Sequence, residues 1–141
     1  MKRTAVIFIC LMLLPLAACK NCREDKYKDA RQYFNELHEC VVAHGKRLSG
    51  AETGSEVAAA INDYGKEIAA FLQRGEALQK QFPELADEEH PPAELKAEFD
   101  RLHEANSALA KISEQALNKF IDDPAVMQAI INISRDMKAE E

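Results

Sequence analysis

Val57-Ala58-Ala59-Ala60-Ile61-Asn62-Asp63-Tyr64-Gly65-Lys66-Glu67-Ile68-Ala69-Ala70-Phe71-Leu72 sets Val57, Ile61, Tyr64, Ile68 and Phe71 at alternating steps of four and three. Only a helix brings such positions onto one face, because 3.6 residues complete each turn. The stripe continues through Gly75, Leu78 and Phe82. Upstream, Tyr27, Ala30, Phe34, Leu37, Val41, His44 and Leu48 repeat the spacing; downstream, Leu95, Phe99, Leu102, Ala105, Leu109, Ile112, Ala116 and Phe120 do so again. No stretch alternates apolar and polar residues over a strand length. Seams of this kind suit helices packed nearly in line. The expected fold is therefore all-α, an antiparallel helical bundle of three long helices plus a short fourth.

Breaks between the stripes agree. Ser49-Gly50-Ala51-Glu52-Thr53-Gly54 reads as a turn, with Thr53 and Glu56 as a capping box. Phe82-Pro83 ends the second helix, since the residue before proline leaves the helical region. Pro91-Pro92 is expected to open the third helix, and Asp123-Pro124 to cap and open the fourth, which carries Val126, Met127, Ile130, Ile131 and Ile133. Asp29 with Gln32 is expected to cap the first. Gly65 and Gly75 interrupt the second helix at about 1 kcal/mol each relative to alanine. Gly75 lies on the stripe, where a neighbouring helix gains room for close approach. Gly45 leaves open an early end to the first helix.

Ahead of the stripes, Lys2 and Arg3 precede a continuous apolar run from Ala5 to Leu14, followed by Leu16-Ala17-Ala18-Cys19. A charged start, a short apolar core and a small-residue exit read as a secretory leader. The run is shorter than the roughly 20 residues that span a bilayer. Leu16-Ala17-Ala18-Cys19 resembles the lipobox of bacterial lipoproteins. The resemblance implies cleavage before Cys19 and diacylglycerol on its sulfur. It divides the chain into a signal peptide at 1–18, a lipidated tether at 19–28 and a helical bundle at 29–141. With Lys20 and no aspartate after the cysteine, the sorting rule of enteric bacteria implies the periplasmic side of the outer membrane.

Charge fits a lipid-held body. The 141-residue chain carries a formal net charge of −6, and losing Lys2 and Arg3 makes it more negative. That balance argues against nucleic acid and against an electrostatic grip on anionic lipid. Two or more acyl chains suffice for stable anchoring.

Of four cysteines, Cys10 leaves with the leader and Cys19 takes the lipid. Cys22 and Cys40 remain in an oxidising compartment, where an intramolecular disulfide is the favoured reading. Bridging requires their α-carbons about 4.4–6.8 Å apart, so the chain from Cys22 must double back on the first helix. Free thiols, or a bridge between two protomers, remain open.

Chemistry-bearing motifs are scarce. His38, His44, His90 and His103 are the histidines, and the six-residue step between His38 and His44 splits them around a helix. His44 falls on the apolar stripe and reads as a hydrogen-bonded core or boundary residue. His90 beside Asp87-Glu88-Glu89, and His103 with Met127 or Met137, are weak candidates for metal or haem. Glu94 and Glu98 are expected to complement the third helix's dipole. No Gly-x-Ser-x-Gly elbow, phosphate loop or His-Glu-x-x-His pair occurs. No catalytic residue and no cofactor are assigned.

The expected role is a binding or structural module that engages another envelope protein, through a groove left where the fourth helix is short and Val41-Val42 or Ile130-Ile131 flank the seams. Immunity against an envelope-acting toxin is the alternative role. The sequence does not decide the oligomeric state.

Overall fold

The structure, a computed structural model, describes residues 25–87 and 89–138, with side chains through Arg135. It is all-helical, with four α-helices among the described residues: α1 (Lys28–Ser49), α2 (Gly54–Gln81), α3 (Lys96–Phe120) and α4 (Pro124–Lys138). Two short 3-10 turns, Pro83–Ala86 and Ala93–Leu95, interrupt the α2–α3 connection. No described helix is long and apolar enough to cross a membrane.

Most helix ends follow local chemistry. Thr53 and Glu56 form the expected reciprocal capping box. Asp123 accepts the Ala125 amide at 2.8 Å, with Pro124 as the first helical residue. Two expectations need correction. Helix α1 starts at Lys28, and neither Asp29 nor any other side chain caps it. Tyr27, buried beside Phe82 with ring centroids 5.4 Å apart, anchors that start, and Gln32 bonds Glu36 instead. Pro91-Pro92 does not open α3 directly: a 3-10 turn intervenes, because burying Leu95 completely tightens the chain there. Gly45 does not end α1; it lies buried inside the helix.

Contacts define the helix directions. Along α1, Tyr33, His44 and Leu48 meet Phe71, Tyr64 and the Val57 region of α2, so these two helices run oppositely. Along α1 and α3, Phe34 meets Phe99 and Gly45 faces Ile112, so these run the same way. Helix α4 follows α2 in the same sense, since Val126 shares a cluster with Val57 and Ile133 abuts Gly65. Packing is most extensive between α1 and α3 and between α2 and α4, while α2 and α3 barely touch.

Two apolar clusters result. At one end, Tyr27, Ala30, Tyr33, Phe34, Phe82, Leu85 and Leu95 join α1, the end of α2 and the start of α3. At the other, Leu48, Val57, Ala60, Ala116, Val126 and Ala129 bring in α4. The body thus has three helices at one end and four at the other. At roughly 25 cal/mol per Å² of apolar surface, such clusters are the main favourable term; Tyr27, Phe34, Leu48, Val57, Phe82, Leu95 and Ala116 are stripe positions, whereas Tyr33, Leu85, Ala60 and Ala129 lie off the stripes.

Candidate binding groove

The step from four helices to three creates the groove. Helix α4 reaches Gly65 at Ile133 and ends within two turns, whereas α2 continues for about four more turns to Gln81. A cavity of about 630 Å³ opens along this step, floored by Ile68, Ala69, Leu72 and Ile133. Gly65 is part of its wall: a Cβ there would come within 2.8 Å of Ile133, so glycine sets how closely α4 lies on α2. Tyr64, Asn62 and Asn132 add polar edges, and Lys66 and Arg135 line it as well. Leu72 at the floor is 45% exposed. Apolar walls with a few convergent polar groups are what binding sites require.

The groove is not where the flanking pairs suggested. Val41 is buried, Ile130 packs in the core and Ile131, though 53% exposed, does not line the cavity. Val42 is half-buried, and neither valine lines the cavity. Ile133 lines it instead.

Cys40 is half-buried and its Sγ donates to Glu67 at 3.3 Å; Arg47 donates to the same carboxylate oxygen at 2.8 Å. Burial, then the Glu67 carboxylate, push the thiol up to about 11, so it is a poor nucleophile at neutral pH. Cys19, the lipid site, and Cys22, the proposed bridging partner, lie outside the described residues, as does the leader at 1–18.

His44 is buried, as its stripe position implies, but its Nδ1 has no hydrogen-bond partner, which corrects the expectation of a bonded core histidine. Its ring stacks flat on Tyr64. His90 is exposed and folded back on Asp87, whose Oδ1 accepts the Glu89 and His90 amides and lies 3.4 Å from the His90 ring Nδ1. Asp87 thus closes a turn of the linker. His103 edges a different cavity, of about 340 Å³, with Tyr33, Phe34 and Phe99 for walls. Met127 is exposed on α4 and contributes nothing to that cavity, and the Met137 side chain lies outside the described residues. Among the described residues no three His, Cys, Asp or Glu side chains gather as a metal site.

Glu98 was missed as a buried group. It is 6% exposed, with Oε1 taking the Arg31 guanidinium at 2.7 Å and Oε2 shielded without a partner. Its place in the first turn of α3 suggested a solvated dipole partner; only the tight α1–α3 packing covers it.

Comparison with protein families, with curated proteins and with solved structures found no match to this chain.

Proposed function

We propose that this chain is a lipid-anchored lipoprotein of the bacterial envelope, held on the periplasmic side of the outer membrane through Cys19. Its body, an antiparallel bundle of three long helices with a short fourth, binds another envelope protein. The α2–α4 groove carries this reading, and the occupant it fits is an amphipathic helix. The groove prolongs the path of α4 along α2, so a helix-wide apolar face is on offer.

A photo-crosslinking residue at Leu72, expressed in cells from the full chain, should trap one discrete protein through an amphipathic helical segment. Leu72→Glu should abolish the adduct while the circular dichroism spectrum stays helical. Repeated crosslinking that traps nothing, or an adduct insensitive to Leu72→Glu, would overturn the groove assignment. Cys19→Ser should leave the leader uncleaved and the product without lipid; normal processing of that variant would overturn the anchoring.

A further inference from the structure

Side-chain contacts fasten the start of α1 to the α2–α3 connection. Tyr27 is buried against Phe82, and its hydroxyl donates to Glu84 Oε1 at 2.8 Å. Lys26 Nζ donates to the same oxygen at 2.6 Å, and Asp25 accepts both the Tyr27 amide and the Arg31 guanidinium at 3.2 Å. The Lys28 amide donates to the Asp25 carbonyl, so Asp25–Lys28 forms one more turn at the outer end of the helix. From Lys28 to Cys40 the helix rises about 18 Å, and the extra turn brings the span from Asp25 to roughly 23 Å. Cys22 lies outside the described residues, but three residues carry it no further than about 11 Å from Asp25. A disulfide adds at most about 6.8 Å between α-carbons. With the start of α1 docked, a Cys22–Cys40 bridge therefore falls about 5 Å short.

We infer that a Cys22–Cys40 disulfide and a docked Tyr27 exclude one another, which makes the first turn of the fold a redox-sensitive latch. Releasing residues 25–27 is enough to close the bridge, because the six residues from Cys22 to Lys28 then extend about 21 Å. Release takes Tyr27 from Phe82, breaks the Glu84 contacts and uncovers the apolar cluster that Phe82, Leu85 and Leu95 complete. The reaction is thiol–disulfide exchange with a small disulfide as oxidant. One cysteine thiolate attacks the oxidant's S–S bond and expels a thiolate; the other then displaces the second half. Two cysteine thiols become one disulfide, and the oxidant is reduced to two thiols that take up the two protons. In the docked state Cys40 is held back by distance, and burial with the Glu67 contact at 3.3 Å keeps its thiol protonated.

The test treats the full chain in detergent with oxidised glutathione and reads each cysteine by peptide mass mapping, so that Cys10 and Cys19 are counted separately. In the folded chain Cys40 should remain a thiol while Cys22 reacts. Tyr27→Ala should speed the Cys22–Cys40 bridge by about tenfold or more; Glu84→Gln loosens the same latch should the first variant fail to fold. A chain bridged in urea and returned to buffer should exchange the Arg31 amide, which donates to the Tyr27 carbonyl, about tenfold faster than the reduced chain. Dithiothreitol should restore the protection. A parent chain that bridges as fast as the loosened variant, or a bridged chain whose Arg31 amide stays protected, would overturn the inference. None of these readouts depends on the α2–α4 groove or on lipid at Cys19.

Discussion

His44 and Tyr64 stack with ring centroids 4.0 Å apart and planes 4° from parallel. The pair joins α1 to α2 between the two apolar clusters; Tyr64 lines the α2–α4 groove, and His44 lines a smaller pocket of about 180 Å³ with Leu48, Ile61 and Ile130. A charged imidazole in that position would face Arg47 nearby and lose its hydration.

Stability should therefore fall as acid charges this ring. With a folded pKa of about 4 against an ordinary value of 6.5, the unfolded chain binds the extra proton first. The histidine's contribution is complete above pH 6.5, declines as pH drops toward 4, and is constant below that. Its full size is on the order of 3 kcal/mol. Urea titrations between pH 7 and pH 4.5 should show that slope, and His44→Phe should flatten it. An unchanged slope in a folded His44→Phe would assign it to other groups.

Removing Arg31 should cost more than removing the whole ion pair. Its guanidinium is the near partner of the buried Glu98 carboxylate, with Arg101 at 3.8 Å as a weaker one. Arg31→Met should lose about 3 kcal/mol by stranding that charge, while Arg31→Met with Glu98→Leu should recover most of it. Chemical denaturation of the two variants and the parent decides this. A double variant no better than the single would show that the pair itself is strongly stabilising.

Two glycines should respond oppositely to alanine. At Gly45 a Cβ would sit 3.4 Å from the Ile112 terminal methyl, ordinary contact. Gly45→Ala should therefore stabilise by up to about 1 kcal/mol through helix propensity. At Gly75 the Cβ would meet the Tyr33 hydroxyl at 2.8 Å, and that ring is buried and wedged between Phe34 and Phe71. Gly75→Ala should destabilise by roughly 1–2 kcal/mol net. Adding Tyr33→Phe removes the obstructing oxygen and should restore stability, as thermal melts of the three variants would show.

Asp123→Ala should cost about 1 kcal/mol, because α4 is too short to hold its first turn unaided. Amide exchange should report the loss first at Ala125, whose N–H the Asp123 carboxylate accepts. Exchange confined to the far end of α4 would contradict it.

How far the sequence carries is visible at particular residues. The stripe through Tyr27, Ala30, Phe34, Val41, His44 and Leu48 is buried, with Leu37 half-buried among them, since three- and four-residue spacing leaves a helix one apolar face. Thr53 and Asp123 cap as their neighbours dictate. These are local rules, acting over a turn or less. Glu98 was out of reach: its burial depends on Arg31, 67 positions away in the chain. The Nδ1 of His44 is unpartnered because of which side chains α2, α3 and α4 bring to it, and spacing on α1 carries no information about them.

Spacing and turn chemistry alone thus determined that the chain is helical, where its helices break and which face each one buries. Only the tertiary structure decided that α1 pairs most closely with α3 and α2 with α4, and hence where the groove and the pocket open. Periodicity names the face that a helix hides. Which helix covers it, and how far along, follows from relative lengths and from close approaches such as Ile133 on Gly65, which exist only once the helices have met.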